Sequence, residues 1–386
     1  MQGSKGETMS VGDKARTLRF MDGNEAVAWA AYYSGCRYFA GYPITPATGV
    51  FNAMLDILPR AGGQVLQGED EIASIGACIG ASMAGVKAMT ATSGPGISLY
   101  SEHLSFATGS EIPLVIVNVQ RLGPSTGSAT KGADGDVQFM RWNSSGGLPV
   151  VVLCPIDVRD AFVLTMQAFN LAERFRCPVF VASNKEIALT RESVDLDSVS
   201  WPVVQDRVYA PEEHFLPFAA HPGQPPGFLP LGHPRVLVRQ TSSTHGEDGY
   251  ITVDPARIQA MHTRLRQKID AHVREMSFSA YRGPSEADVV IVAYGVTART
   301  ALAAYRRLVD QGRSVGLLIL KTLWPVLEEE IASRCRSASR VIVPEMNLGL
   351  YAREIERILP GKEVQALGQM NGNLLTPDQI LEVAHA

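Results

Sequence analysis

The sequence predicts an α/β protein with two domains, each built on a doubly wound parallel sheet. The first observation is that short, continuously apolar stretches alternate with helical stretches over residues 23–190 and again from residue 287 onward. This alternation is typical of parallel sheets that helices cover on both faces. The second is that residues 195–250 are rich in proline and lack periodicity. We therefore expect four segments: a tail (1–20), a first domain (21–194), a connection with a helix (195–285) and a second domain (286–386).

In the first domain, apolar runs predict the strands, and amphipathic or small-residue patterns predict the helices. Asn24 is the expected N-cap of the first helix. The predicted strands cover residues 38–42, 88–92, 113–119, 150–153 and 178–182, and the predicted helices cover residues 23–34, 47–58, 73–85, 97–108 and 157–175.

The connection is expected to wrap over a surface, with a floppy linker as the alternative. It returns to helix at residues 254–276. The second domain has about 100 residues, an ordinary domain size. Its predicted strands cover residues 289–294, 315–320 and 340–343, and its predicted helices cover residues 296–311, 327–336, 348–359 and 377–386.

Composition argues against several classes of protein. The chain has 386 residues, a net charge of −4 and 46% hydrophobic residues, which argues against a general affinity for nucleic acid or membrane surfaces. Since neither a run of roughly 20 apolar residues nor an apolar signal core is present, we expect a cytoplasmic protein. Five cysteines without CxxC spacing do not support an iron–sulfur cluster held by this chain alone.

The stretch from Gln67 to Gly96 is the most informative one. It joins the acidic turn 69–71, a helix of small residues, a short strand and a glycine loop. A carboxylate at the start of such a helix, when pressed into an apolar site, can have a raised pKa and hold a proton. The alternative is a surface turn before an ordinary core helix.

Three further groups follow predicted strands, where ligands of open α/β sheets bind. Tyr42-Pro43-Ile44-Thr45-Pro46 is a turn stiffened by two prolines, which would present the Thr45 hydroxyl in a fixed direction. Arg121 could clamp a carboxylate with two parallel hydrogen bonds. The loop Ser93-Gly94-Pro95-Gly96 permits close approach of the backbone to a ligand. The alternatives are that Thr45 caps a helix, that Arg121 forms a salt bridge, and that the glycine loop has no ligand.

Other motifs are absent or rejected. Residues 132–136 with Asn143 resemble the GDG…N motif that holds Mg²⁺ and diphosphate in thiamine diphosphate enzymes, but the spacing is too short and the segment is a polar loop. No histidine pair has HExxH spacing, and no GxSxG elbow occurs. We expect no metal site in this chain.

Taken together, the motifs resemble the alpha subunit of the 2-oxoacid:ferredoxin oxidoreductases of the 2-oxoglutarate synthase type. The resemblance rests on YPITP, EDEIA, TSGPG and QRLGPSTG in that order, followed by VIVAYGVTAR and VPEMNLGLYAREIERIL. It covers about two-thirds of the chain and is loose over residues 195–285. It implies a thiamine-diphosphate pyrimidine-binding domain followed by a domain that resembles the transketolase C-terminal domain.

The resemblance also implies a division of labour between subunits. A beta subunit would supply Mg²⁺, the diphosphate-binding half and a [4Fe–4S] cluster, in an (alpha-beta)₂ assembly that uses coenzyme A and ferredoxin. A gamma domain, present in some relatives, would be a separate chain or missing.

Matched by motif, the resemblance places Glu71 at the aminopyrimidine ring, with Glu69 as a fallback. It places Thr45 and Arg121 at the substrate carboxylate. Tyr42, Pro43, Ile44, Ser93, Gly94, Pro95 and Gly96 would border the cofactor, and residues 123–127 would line the pocket or the subunit contact. Tyr294, Gly295, Glu345 and Asn347 are expected to support packing.

The implied reaction is the coenzyme A-dependent oxidative decarboxylation of a 2-oxoacid, with 2-oxoglutarate favoured, or its reversal as reductive carboxylation. Pyruvate and branched-chain acids stay open as substrates. Two other interpretations are a non-catalytic scaffold subunit and a thiamine-dependent 2-oxoacid dehydrogenase component that uses lipoamide; YPITP and GPSTG argue against the latter.

Overall fold

The computed structural model describes residues 18–385. The segment up to the connection contains eight strands and eight α-helices: β1 Leu18–Met21, α1 Gly23–Tyr33, β2 Tyr38–Gly41, α2 Thr48–Ile57, β3 Gln64–Gln67, α3 Glu71–Met83, β4 Ala88–Thr92, α4 Pro95–Leu99, α5 Ser101–Gly109, β5 Leu114–Gln120, α6 Val137–Arg141, β6 Val151–Leu153, α7 Val158–Phe175, β7 Pro178–Asn184, α8 Lys185–Leu189 and β8 Glu192–Asp195.

The remainder contains six strands and five α-helices: α9 Pro255–Asp270, β9 Ser279–Arg282, β10 Val289–Tyr294, α10 Thr297–Asp310, β11 Val315–Leu320, β12 Thr322–Trp324, α11 Glu328–Arg334, β13 Arg340–Glu345, α12 Ala352–Ile358, β14 Glu363–Gly368 and α13 Pro377–His385. None of the helices in residues 18–385 is both long and apolar enough to cross a membrane.

The first sheet has the strand order β12-β6-β7-β5-β4-β2-β3. All pairs from β6 to β3 are parallel. The chain steps from β2 to β3 on one side and then returns to add β4 on the other, so the strand order reverses between β2 and β4. Ligands of open α/β sheets bind at such a switch point, outside the carboxyl ends of the strands.

The second sheet has the order β14-β13-β10-β11-β9, in which only β9 is antiparallel. Together the two sheets confirm the predicted α/β fold. The domains are joined by more than a linker, because β12 leaves the second domain and pairs with β6 at the edge of the first sheet. Trp324 at the end of β12 is buried and donates from Nε1 to the backbone oxygen of Val137 at 3.1 Å.

The segment between β8 and α9 forms neither helix nor strand in its described residues. Buried ion pairs nevertheless anchor both this segment and α9 to the first domain. Arg207 donates to both oxygens of Glu173 on α7, at 2.7 and 3.0 Å. Glu111, before β5, accepts from Arg264 and Lys268 of α9 at 2.8–2.9 Å. These contacts match the prediction of a wrapped segment and do not fit a floppy linker.

Several predicted boundaries are wrong. The first helix is capped by Asp22, not by Asn24, and the Asp22 carboxylate accepts from the Glu25 N–H. Asn24 lies inside the helix and donates from its side chain to Pro46 O at 3.0 Å. The helix predicted at 97–108 is two helices, α4 and α5. The helix predicted at 254–276 stops at Asp270, and a 3₁₀ turn, Val273–Met276, follows.

Part of the expected tail, residues 1–20, falls within the described residues. Residues 18–20 belong to β1, which pairs with β8, while the rest of that prediction lies outside the described residues.

Candidate active site

Four loops meet at one edge of the first sheet. The turn 42–46 follows β2, Glu71 follows β3, the loop 93–96 follows β4, and Arg121 follows β5. These four strands are neighbours in the order β5-β4-β2-β3 and are parallel, so their carboxyl ends lie side by side. The structure therefore gathers the sequence-predicted residues at the topological switch point.

Glu71 is the first residue of α3 and is only 6% exposed. The helix begins here because Asp70 is its N-cap, with the Asp70 carboxylate accepting from the Ala73 N–H at 2.7 Å. Burial is the main cause that raises the pKa of Glu71, and the charge of Asp70 adds to it; a backbone hydrogen bond and Arg121 act in the opposite direction. The fallback residue, Glu69, is exposed.

Gly96 leaves the space that Glu71 occupies. A Cβ atom at Gly96 would lie 2.1 Å from Thr92 Oγ1 and 2.5 Å from Glu71 Oε1, which no side chain can tolerate without a shift. Gly94 has a φ of 44°, and a Cβ there would lie 3.3 Å from Arg121 Cγ and Nε. Both glycines of the loop therefore allow close packing against the two charged residues of the site.

Arg121 is 6% exposed and ties two loops together. Its Nη1 donates to Thr45 O at 2.6 Å and its Nη2 donates to Thr126 O at 2.9 Å. The described residues provide no carboxylate ion pair for Arg121, which argues against the salt-bridge alternative, and its Nε has no partner. A guanidinium placed this way keeps donors for an anionic ligand.

The turn after β2 presents Thr45 at the surface. Thr45 is exposed, and the N-cap of α2 is Ala47, which makes no side-chain capping bond. The alternative that Thr45 caps this helix is therefore wrong. Pro43 and Ile44 are partly buried, and Ile44 packs against the core, whereas Tyr42 is 40% exposed.

Two buried hydroxyls at the end of β4 lack partners. Thr92 Oγ1 and Ser93 Oγ have no hydrogen bond within residues 18–385, and neither residue is exposed. Buried polar groups are usually satisfied, so a cluster of unsatisfied donors around a buried carboxyl suits a polar ligand. A heteroaromatic ring with nitrogen and amino groups, as in an aminopyrimidine, fits the Ser93 hydroxyl and the Glu71 carboxyl. Sequence reasoning had not singled out Thr92.

The carboxylates of the GDG-like segment accept hydrogen bonds from amide side chains. Asp134 accepts from Asn184 Nδ2 and Asp136 accepts from Asn118 Nδ2, both at 3.0 Å, while Asn143 donates to Met140 O. No group of three or more potential ligands suited to a metal ion occurs among the described residues.

The second-domain residues lie in one buried network. Tyr294 donates from its hydroxyl to Glu345 at 2.6 Å, and Asn347 donates to both Tyr294 Oη and the Asp134 backbone oxygen at 2.9 Å. Gly295 approaches Asp134 closely, as a Cβ there would lie 3.4 Å from Asp134 Oδ2. This network joins the domains.

Exposed apolar side chains follow three of the four strands that end at the site. Tyr42 after β2, Ile72 beside Glu71 and Leu99 on α4 are 40%, 43% and 45% exposed. Exposed apolar side chains that share one face of a protein are typical of a surface that another polypeptide covers.

Comparison with known proteins identifies relatives of both parts of the chain. Residues 29–263 match the model of the family "Pyruvate flavodoxin/ferredoxin oxidoreductase, thiamine diP-bdg", and residues 287–380 match "Pyruvate:ferredoxin oxidoreductase core domain II". A thiamine diphosphate-binding domain is thus present. Subunit KorA of 2-oxoglutarate synthase from Methanothermobacter thermautotrophicus is 37% identical, over 94% of this chain and 97% of the relative.

Two further relatives extend the comparison. Ketoisovalerate oxidoreductase subunit VorB from the same organism is 30% identical, over 94% of this chain and 96% of its own length. The solved structure of 2-oxoglutarate:ferredoxin oxidoreductase from Magnetococcus marinus, with 2-oxoglutarate, coenzyme A and succinyl-CoA bound, is 32% identical with a TM-score of 0.91. That alignment covers 97% of this chain but 66% of the solved chain.

Proposed function

This chain belongs to the 2-oxoacid:ferredoxin oxidoreductase family as an alpha-type subunit, and we propose that with a beta subunit it decarboxylates a 2-oxoacid oxidatively to an acyl-CoA. The carbon dioxide leaves, coenzyme A takes the acyl group, and two electrons pass to ferredoxin. The same machinery can run as reductive carboxylation. The observation that carries the proposal is the buried Glu71, placed by α3 where four strand ends meet.

We propose 2-oxoglutarate as the substrate. The 2-oxoglutarate synthase subunit is 37% identical to this chain, against 30% for the ketoisovalerate subunit over a similar length. The solved relative binds 2-oxoglutarate and shares the fold over nearly the whole of this chain.

Thiamine diphosphate would be held at its aminopyrimidine end by this chain. Glu71, the backbone of residues 93–96 and the turn 42–44 would border the ring. When bound, the cofactor supplies the nucleophilic carbon that attacks the keto group and stores the electrons released on decarboxylation. Burial raises the pKa of Glu71, and this carboxyl would hold or release a proton at a ring nitrogen.

Arg121 and Thr45 would bind the substrate carboxylate. Arg121 offers its unpartnered Nε and remaining Nη hydrogens, and its bond to Thr45 O fixes the turn that presents the Thr45 hydroxyl. Arginine suits this task because its planar donors match a carboxylate.

A beta subunit would complete the site. The exposed apolar side chains of Tyr42, Ile72 and Leu99 support a polypeptide partner at this edge. We assign Mg²⁺, the diphosphate contacts and a [4Fe–4S] cluster to that partner, in an (alpha-beta)₂ assembly. The predicted cytoplasmic location is kept as part of the proposal.

The test is to purify the chain with its genomic neighbour and to screen 2-oxoacids with coenzyme A and a viologen dye. We expect 2-oxoglutarate-dependent dye reduction, which Glu71→Ala abolishes although the complex still assembles. Full activity of Glu71→Ala would reject the role of Glu71. A scaffold subunit would give no turnover that depends on either Glu71 or Arg121.

A further inference from the structure

Strand β4 carries two buried threonines on one face, and they differ in whether the hydroxyl has a hydrogen-bond partner. Thr90 and Thr92 are both fully buried, two residues apart, and therefore point the same way. Thr90 Oγ1 forms a hydrogen bond of 2.8 Å with the hydroxyl of Tyr100. Thr92 Oγ1 has no partner in the described part of the chain.

The unsatisfied Thr92 hydroxyl lies beside Glu71. Both Thr92 Oγ1 and Glu71 Oε1 would contact a single Cβ atom at Gly96, at 2.1 and 2.5 Å, so the two oxygens lie no more than about 4.6 Å apart. A hydrogen bond between them requires the two oxygens to approach to about 3 Å. The threonine hydroxyl is the donor, since an ionised carboxylate can only accept.

A buried hydroxyl without a partner costs stability, which suggests a role that the chain without cofactor does not reveal. We propose that Thr92 is a positioning residue for Glu71: its hydroxyl donates to one carboxylate oxygen and thereby directs the other oxygen toward the cofactor ring. This inference rests on the proposed function. It also accounts for glycine at position 96, because a side chain there would fill the space in which the two groups meet.

Few other groups compete for this role. Asp70, on the same helix, repels a charged Glu71, and Arg121 attracts it from the end of β5. Tyr100 is bonded to Thr90 at 2.8 Å, and its hydroxyl also lies near Thr92 and Glu71, since Thr92 acts to lower and Glu71 to raise the pKa of Tyr100; burial, the largest cause, keeps the phenol protonated. His103 on α5 contacts α3 at Gly76, roughly 7.5 Å along the helix axis from Glu71. Ser93 Oγ is another buried hydroxyl without a partner at this loop, but Thr92 Oγ1 is the one that lies beside Glu71 Oε1 at Gly96.

The test compares Thr92→Val, which keeps the shape, with Thr92→Ser, which keeps the hydroxyl, in the complex with the beta subunit. Thiamine diphosphate is titrated by calorimetry in the presence of Mg²⁺. The pH midpoint of the Glu71 carboxyl is followed in the infrared difference spectrum between the unchanged complex and Glu71→Gln. Thr90→Val is the matched control, because it removes a neighbouring hydroxyl that is already bonded to Tyr100.

We expect Thr92→Val to weaken cofactor binding by about 10-fold or more, as for a lost hydrogen bond to a charged group. In Thr92→Val the pH midpoint of the Glu71 carboxyl should rise, because the carboxylate loses a hydrogen-bond donor. Thr92→Ser should stay within roughly 3-fold of the unchanged complex, and Thr90→Val should lower thermal stability alone.

Two results would overturn the inference: unchanged affinity and midpoint in Thr92→Val, or equal effects in Thr90→Val and Thr92→Val. If Thr92→Val fails to assemble, Thr92→Ala is read in its place. If one of these two overturning results is found while Glu71→Gln is inactive, only the role of Thr92 is refuted. A fully active Glu71→Gln refutes the proposed function.

Discussion

A carboxyl group removed from water holds its proton more tightly, and at Glu71 this effect of burial outweighs the opposing charge of Arg121. Asp70, its neighbour in the chain, adds negative charge, while the Arg121 guanidinium binds backbone oxygens of two loops. Because its pKa is raised, Glu71 is suited to exchange a proton with a bound ring. Groups with shifted pKa values in a cleft are frequent at functional sites.

The first prediction concerns Gly96. Gly96→Ala should reduce oxoacid-dependent dye reduction by at least about 10-fold, because the new methyl group displaces Thr92 and Glu71 from the site. Gly80→Ala on α3 is the control; a Cβ there meets nothing within 4 Å, and alanine favours the helix. Equal activity of the two variants would show that the loop does not position Glu71.

The second prediction concerns Arg121. Arg121→Lys keeps the charge but loses the planar set of donors, so we expect the KM for the oxoacid to rise by about 10-fold or more. Arg121→Ala should abolish turnover or raise KM further. Unchanged steady-state kinetics in both variants would exclude Arg121 from the substrate pocket.

At the scale of the elements, the site depends on a strand that the sequence analysis missed. β3 is an edge strand of only four residues, and its pattern QVLQ lacks the apolar run that predicts a parallel strand. Yet β3 brings Glu71 alongside the turn after β2. The motif located the glutamate correctly within a helix start, but only strand pairing shows which loops it meets.

Other sequence predictions failed where tertiary contacts outweigh local preference. Asn24 is a good capping residue, but Asp22 forms a capping box with Glu25, and Asn24 is used to hold Pro46 instead. Strands with long apolar runs, such as β5 and β10, were predicted well because they are buried on both faces. The hydrogen-bond partners of Arg121 could not be predicted, since Thr45 O lies 76 residues away in the chain and Thr126 O is reached only because the loop after Arg121 folds back.

The third prediction concerns the anchoring of the connection. Burial would raise the pKa of Glu111, but Lys268 and Arg264 lower it to about 2. Because its pKa is lower in the folded state, ionised Glu111 stabilises the fold at pH values above its unfolded pKa of 4.5. This stabilisation is lost as the pH falls from 4.5 through about 2. Glu111→Gln should therefore lower the free energy of unfolding at neutral pH by roughly 3–5 kcal/mol and flatten its dependence on pH in that acid range.

Chemical denaturation between pH 2 and pH 7 measures this effect. The control is Asp56→Asn, which removes an exposed ion pair with Arg60 and should cost at most about 1 kcal/mol. Similar losses in the two variants would mean that the buried cluster does not anchor the connection.

At the scale of the whole molecule, the two domains share a polar core as well as β12. Asp134 of the first domain is buried between Asn184 and the network of Tyr294, Asn347 and Glu345. Burial raises the pKa of Asp134 to about 7, with Glu186, Glu345 and Asp136 adding repulsion. The second domain thus contributes to packing around the loop that follows Arg121, as the sequence suggested.

The fourth prediction concerns this interface. A folded-state pKa raised to about 7 from 3.8 gives stability that is complete below 3.8 and is lost as pH rises through about 7. Asp134→Asn should reduce this decline between pH 4 and pH 7, leaving a smaller slope from Asp136, whose pKa burial raises to about 6. Thermal unfolding across this range measures the slope; an unchanged slope in Asp134→Asn would contradict the assignment.

The central claim is that Glu71 touches the aminopyrimidine ring of thiamine diphosphate at a site shared with a beta subunit. The most direct measurement is the distance between the Glu71 carboxyl and the nearest ring nitrogen in a structure of the loaded alpha–beta complex. We expect a hydrogen bond of about 2.6–3.2 Å. A Glu71 carboxyl that faces bulk water, away from any pocket shared by the two subunits, would contradict the account.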